Sequence, residues 1–420
     1  MAEPARRAEA KPETSSRSVL RRFLRVAGPG IITGGAENDP AGVTTYATVG
    51  ATTGYSQLWL LLLATPLLII VQGLAARIGS VTKLGFAELI RNEFGRPAAI
   101  VLASLVVIAN VATIGADLVA MAAVLQLLTH LPLTVFVVPL MVVLGYITIF
   151  QDYKTVQRLL LWVVLAFLAY IVAGILAHPD WSQVLRSTVI PPIRLKVTYF
   201  LGAIGLLGTT IQAYLLYFQS EGEREERRGT THSSERYIDI ASGMITSNVV
   251  AYFIIISTAS TLFSHHQAIH GTADVARSLT PVAGSFATVL FSIGILGAGL
   301  LGVPVLAIST GYILAGTLGW RTGLGRQAYS APGFYTVIAL SLLAGVELAN
   351  SHVNPITALF YSQVLSGLVT PPHLVCLVLL ASRRRVMGAF VATPWERLGG
   401  WIAAGVMTIS VAALVFALLA

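Results

Sequence analysis

The chain has 420 residues, of which 55% are hydrophobic and only 11% charged, with a mean hydropathy of +0.77 and a formal net charge of +8. Soluble domains carry about 25% charged residues, so this composition excludes an ordinary soluble enzyme and predicts a polytopic membrane protein. The single cysteine, Cys376, excludes both a disulfide framework and a cysteine metal cluster.

Residues 1–26 hold seven of the basic residues and neither an apolar core nor a cleavage site, so they read as a basic cytoplasmic tail and not a signal peptide. Eleven apolar runs of spanning length follow, near 29–52, 56–79, 98–127, 132–150, 157–177, 197–220, 238–263, 282–317, 331–349, 354–381 and 398–420. With the tail inside, 23 Lys and Arg residues fall on the inner side. Four (Arg186, Arg194, Lys196 and Arg277) fall on the outer side. That asymmetry sets a cytoplasmic N-terminus and an external C-terminus. The lipid bilayer thus accounts for the basicity without a nucleic-acid partner, and a bacterial plasma membrane is the expected location.

Span 1 holds the most unusual stretch, GPGIITGGAENDPAGVTTYATVGATTGY (28–55), with Glu37 and Asp39 in an apolar, glycine-rich setting. Carboxylates are rare in lipid and usually face an interior cavity or pathway. Pro40 lacks an N–H and disfavours helix at the residue before it, which predicts a break at Asn38-Asp39. A broken membrane helix exposes backbone carbonyls beside the acid, and that suits a cation. The plainer alternative is a proline kink with a carboxylate snorkelling to one face. Glu37 has two readings, an acid that draws ions toward the site or a helix-cap acid.

Span 2 is a long apolar helix closed by Arg77, and KLGFAELIRNEFGRP (83–97) reads as an amphipathic segment along the inner face. Span 3 carries Asn110, Asp117 and Gln126; for Asp117 a proton or ion relay and a structural hydrogen bond are equal alternatives. Spans 4 and 5 are nearly featureless, joined by the inner turn QDYKTVQR (151–158). In span 6, Gly202, Gly205 and Gly208 lead into Thr209, Thr210 and Gln212. Small residues permit close packing there, and hydroxyl and amide groups supply oxygen for an unwound turn. The run EGEREERR (221–228) reads as a solvated inner loop with surface ion pairs. His265, His266 and His270 read as exposed residues of an outer loop more readily than as a metal trap. Span 8 is rich in small residues, and span 10 carries Tyr361, Ser362 and Gln363 before an expected break at Pro371-Pro372.

Interrupted, glycine-rich spans at positions one and six, five spans apart, mark an inverted-repeat transporter with its site mid-membrane. The expected fold is therefore all-α, about 11 transmembrane helices in a LeuT-like 5+5 inverted repeat with broken helices 1 and 6. Residues 27–178 (spans 1–5) and 197–385 (spans 6–10) form the two repeats, and 398–420 is an additional span. No enzymatic activity is expected.

These residues resemble the NRAMP family of divalent-metal transporters, and more closely its divergent magnesium/manganese branch. The resemblance is carried by the opening GPG, Asp39-Pro40, GYSQLW at the start of span 2, QGLAARIGSVT at its end, and Ser362-Gln363-Val364. It covers about residues 27–390. It implies Asp39 as the anionic metal ligand and Gln363 as a polar group that closes on the ion. The departures are informative. The family's Asp-Pro-Gly-Asn reads Asp39-Pro40-Ala41-Gly42, so the asparagine ligand is lost at Gly42. Its Met-Pro-His reads Gln212-Ala213-Tyr214, and the second acid of span 3 is Ala120. A soft sulfur ligand favours transition metals, whereas carboxylate, amide and water oxygens suit Mg²⁺ and Mn²⁺. Magnesium keeps several of its waters, and Gly42 offers room for them.

The resulting expectation is a secondary transporter importing partly hydrated Mg²⁺ or Mn²⁺ by alternating access, with no resident cofactor and weak or absent proton coupling. Asp39, Thr209, Gln212 and Gln363 are the candidate ligands. Glu37, Gly42, Thr210, Tyr214 and Asp117 form the surrounding shell or pathway, Asp117 serving protons if they are co-substrates. The first rival is a proton-coupled Mn²⁺/Fe²⁺ symporter. A sodium-coupled amino-acid transporter and an intramembrane aspartyl protease using Asp39 and Asp117 are the others, to be revealed by Na⁺-dependent organic uptake or by peptide cleavage.

Overall fold

The computed structural model describes residues 34–150, 167–225, 233–267, 269, 271–280, 284–323, 330–351 and 353–419. The basic tail, the first part of spans 1 and 5, the turn at 151–158 and His270 lie outside the described residues. Among the described residues every regular element is helical. Eight stretches are long and apolar enough to cross a membrane, one of which, Pro40–Thr82, holds two of the expected spans, and two shorter apolar helices accompany them.

Span 1 is a helical turn at residues 34–37 followed, after a break, by α1 (Pro40–Thr53). A single 3-10 turn leads into α2 (Leu58–Thr82), then α3 (Phe86–Phe94), α4 (Arg96–Thr129), α5 (Thr134–Phe150) and α6 (Phe167–Leu176). The outer helix α7 (Trp181–Val189) precedes span 6, which is split into α8 (Val197–Thr210) and α9 (Ala213–Glu225). The chain continues through α10 (Ser233–Thr258), α11 (Thr272–Arg277), α12 (Ala287–Leu318), α13 (Pro332–Ala349), α14 (Pro355–Ser382) and α15 (Pro394–Leu419). Helix breaks therefore fall in spans 1 and 6, as the sequence predicts.

The amphipathic segment buries its apolar face in protein. Phe86, Ala87, Leu89 and Ile90 of α3 are buried, and the Phe86 ring packs on Tyr217 of α9 at 4.9 Å. Its charged face holds the end of α12, where Arg91 Nη1 donates to the Gly316 carbonyl at 2.9 Å. That carbonyl lies in the last turn of its helix, where acceptors lack intrahelical partners.

Two sequence expectations are corrected. Helix α14 runs unbroken through Pro371 and Pro372. Prolines are tolerated inside membrane helices when neighbouring groups meet the freed backbone. The acidic residues 221–225, expected in a solvated loop, instead continue α9, with Glu221 and Glu223 buried. Each finds a partner in a different direction: Glu221 meets Arg224 at 2.8 Å, Glu223 meets Arg236 of α10 at 2.8 Å, and Glu225 accepts from the Tyr312 hydroxyl of α12 at 2.8 Å. Removing one partner of a buried pair typically costs about 3–5 kcal/mol. Arg236→Met is therefore expected to lower the thermal stability of the detergent-solubilised protein, with Glu223→Gln restoring most of it in the double variant. A double variant no more stable than Arg236→Met alone would show that the pair is not the cause.

Helices α8 and α14 approach through glycine. A Cβ added at Gly208 would stand 2.6 Å from Gly367 N and collide with the Gln363 carbonyl. This close seat brings Gln363 of span 10 beside the break in span 6.

Candidate functional site

The first half of the site follows from Pro40. Asp39 precedes it in an extended conformation (φ −63°, ψ 170°) and caps α1, its Oδ1 accepting from Gly42 N at 2.6 Å. Proline suits the first helical position, where an N–H has no intrahelical acceptor. A second free N–H of this turn, on Ala41, donates to Asp117 Oδ1 of α4 at 2.9 Å. Two carboxylates thus converge on the positive end of one helix. Asp117 makes the structural hydrogen bond that the sequence allowed, yet only one of its oxygens is used. Asp39 Oδ2 and Asp117 Oδ2 are buried without hydrogen-bond partners.

The second half comes from span 6. Helix α8 closes with Ile211 N donating to Leu207 O at 2.7 Å, and the chain unwinds through Ile211 (φ −111°, ψ 77°) and Gln212 before α9 starts. Gln212 Nε2 donates to Gln363 Oε1 at 3.1 Å and lies 3.5 Å from Thr209 Oγ1. Thr209, Gln212 and Gln363 therefore form one cluster, and Gln212 Oε1 has no hydrogen-bond partner. Thr210 turns away: its hydroxyl donates to Leu206 O at 2.8 Å and bonds Tyr46 of α1 at 3.1 Å.

The two halves meet at Gly42. A Cβ there would lie 2.7 Å from the Glu37 carbonyl oxygen, 2.7 Å from Thr209 Oγ1 and 3.1 Å from Asp39 Oδ1. The room left by glycine is thus taken by oxygens of both broken helices, in place of the open gap for water that the sequence suggested. Tyr214 places a buried, unpartnered hydroxyl within reach of the charges of Asp39, Asp117 and Glu37. Asp39, Thr209 and Gln363 are 0% exposed and Gln212 is 1% exposed, so the cluster is sealed from both faces in this conformation.

One supporting contact was not anticipated. Asn38 Nδ2 donates to Ser247 Oγ of α10 at 2.8 Å, anchoring the break to span 7. Ser247 and Asn248, polar residues in an apolar run, were the available signal.

Chemically the cluster offers carboxylate, amide, hydroxyl and carbonyl oxygen. Among the described residues no group of three or more His, Cys, Asp or Glu side chains is placed as a metal cage.

A family profile described as natural resistance-associated macrophage protein-like matches residues 30–417. The chain is 27% identical over 400 residues to the divalent metal cation transporter MntH of Caldanaerobacter subterraneus subsp. tengcongensis, covering 93% of this chain and 92% of that protein. It is 28% identical over 398 residues to MntH of Deinococcus radiodurans, covering 92% and 88%. In structure it resembles a manganese transporter of Eremococcus coleocola, with a TM-score of 0.72 at 20% identity over 94% of this chain and 87% of the other. MhsT, crystallised with L-phenylalanine, gives a TM-score of 0.62 at 13% identity over 92% and 98%. At such identities these structures establish the fold alone, and a fold does not choose a cargo. The sequence match, by contrast, runs through both helix breaks and nearly the whole described chain. The protein is an integral membrane protein belonging to the natural resistance-associated macrophage protein-like family.

Proposed function

We propose that the protein is a secondary transporter that carries divalent cations inward by alternating access, with residues 27–178 and 197–385 as its two inverted halves. The observation that supports this best is the sealed oxygen cluster where both broken helices meet, around the unpartnered Asp39 Oδ2. Asp39 is the anionic ligand, and Thr209, Gln212 and Gln363 complete a partly hydrated shell. The relatives named as divalent metal cation transporters agree with this cargo class. The N-terminus is cytoplasmic and the C-terminus external, on the distribution of Lys and Arg.

Mg²⁺ and Mn²⁺ are the preferred ions, because the cluster contains neither sulfur nor imidazole and hard oxygen donors select hard cations. Proton coupling is weak, since one Asp117 oxygen is held by Ala41 N and residue 120 is alanine. A second reading, a proton-coupled Mn²⁺/Fe²⁺ symporter, draws on the other Asp117 oxygen, which is buried and unpartnered.

Uptake of Mg²⁺, Mn²⁺ and Cd²⁺ into proteoliposomes, with and without a pH gradient, separates the two readings. Mg²⁺ uptake indifferent to the gradient is expected; Mn²⁺ uptake with stoichiometric proton entry would favour the second. In the same assay Gln212→Met is expected to move preference toward Cd²⁺ by roughly tenfold, the scale of about 1.4 kcal/mol for one exchanged donor. Unchanged selectivity would take Gln212 out of the coordination shell.

A further inference from the structure

Glu37 ends the helical turn at 34–37, is 0% exposed, and has no hydrogen-bond partner on either carboxyl oxygen. It therefore caps nothing. The Ser247 hydroxyl lies beside it but falls short of good hydrogen-bond geometry, while accepting from Asn38. Among the described residues no lysine or arginine forms an ion pair with Glu37; the groups that act on it are Ser247 and Asp39. A buried charge with neither ion pair nor hydrogen bond is among the most unfavourable arrangements in a protein, so a carboxylate kept here points to a cation that comes and goes.

Three observations place that cation with the Asp39 cluster. The carboxylates of Glu37 and Asp39 are close enough to act on each other. The Glu37 carbonyl already belongs to the oxygen set beside Gly42, with Thr209 Oγ1 and Asp39 Oδ1. The Tyr214 hydroxyl, 2% exposed and without a partner, lies within electrostatic reach of Asp39, Asp117 and Glu37. Position 42, at the same break, supplies no side-chain donor.

We propose that the Glu37 carboxylate is the second anionic ligand of the transported dication. The Glu37 and Asp39 carboxylates together match the two positive charges of the ion, whereas a monovalent ion leaves one of the pair uncompensated. That difference gives discrimination against Na⁺ and K⁺ without a size filter. The inference rests on the Asp39 site proposed above and deepens it.

The test uses the full-length protein in detergent and Mn²⁺ as the probe, with binding measured by calorimetry for Glu37→Gln, Glu37→Asp and Asp39→Asn. Glu37→Gln is expected to weaken Mn²⁺ binding by tenfold or more, on the order of 1.4 kcal/mol per tenfold. Glu37→Asp should weaken it similarly, because losing one methylene withdraws the oxygen while keeping the charge. Wild-type affinity in Glu37→Gln overturns the proposal. Wild-type affinity in Glu37→Asp beside a weak Glu37→Gln also overturns it, since the carboxylate would then act at a distance. Should Asp39→Asn lose binding while Glu37→Gln keeps it, only this inference fails; should Asp39→Asn keep binding, the underlying site reading fails instead. A readout independent of variants is pulsed electron paramagnetic resonance of Mn²⁺ on wild-type protein labelled with ¹³C-carboxylate glutamate. A ligand-strength ¹³C coupling is expected, and its absence overturns the proposal.

Discussion

Asp39→Asn is expected to abolish divalent-cation uptake in proteoliposomes while leaving thermal stability unreduced. The two oxygens of this side chain have separate tasks: Oδ1 accepts from Gly42 N at the start of α1, and Oδ2 is free inside the cluster. Asparagine caps a helix about as well as aspartate, so the variant keeps the first task and loses only the charge. Two unit charges 4 Å apart are worth about 4 kcal/mol at an effective dielectric constant of 20, and a dication doubles that. If only a third survives desolvation, binding still weakens by about 100-fold. Asp39→Ala, which also removes the cap, is expected to lose uptake and, in addition, about 1 kcal/mol of stability. Uptake by Asp39→Asn within twofold of wild type would end the transport account at this site.

Gly42→Ala is expected to reduce uptake at least tenfold and to lower the melting temperature, against the usual sign for this change. Replacing glycine by alanine inside a helix ordinarily stabilises by up to about 1 kcal/mol. At Gly42 the new methyl would stand 2.7 Å from a backbone carbonyl and 2.7 Å from Thr209 Oγ1. The hydroxyl can rotate, but the carbonyl is fixed by the break, and overpacking of this kind costs about 1–3 kcal/mol. Relief would come from moving the Glu37 carbonyl away from the start of α1 and Thr209 away from Gly42, which disperses the oxygens. Gly405→Ala is the control, because nothing lies within 4 Å of a Cβ there; it should raise stability slightly and leave uptake unchanged. A Gly42→Ala protein that transports normally would show the oxygens near Gly42 to be incidental.

The sequence made some of this legible and hid the rest for definite reasons. The break in span 1 could be read because Pro40 acts locally, through a missing N–H and a steric demand on Asp39. The break in span 6 has no proline, and its position at Ile211-Gln212 had to be inferred from glycines, threonines and the symmetry of the repeat. The Pro371-Pro372 pair uses the same local chemistry, yet α14 continues through it. The difference lies at Asp39, where the free N–H groups of Gly42 and Ala41 are answered by Asp39 and Asp117 and fix a helix start, whereas membrane helices admit prolines in their interior. Among the described residues the helix ends fall within about five residues of the expected apolar runs, because a long apolar run is itself the local signal of such a helix. The burial of Glu221 and Glu223 was hidden, since the local run looks hydrophilic and only long-range packing brings partners to it. Glu37 was visible as an acid, but its lack of any partner is a property of the folded neighbourhood.

The three glutamates of α9 constrain how this molecule can move. They bind the lower half of span 6 sideways in three directions, through Arg224 toward α3, through Arg236 to α10 and through Tyr312 to α12. That rod cannot swing alone while these links hold. Any swing of α9 either unlatches them one by one or carries α3 and the ends of two neighbouring helices along as a single slab, which makes its hinge a property of four helices and not of one unwound turn.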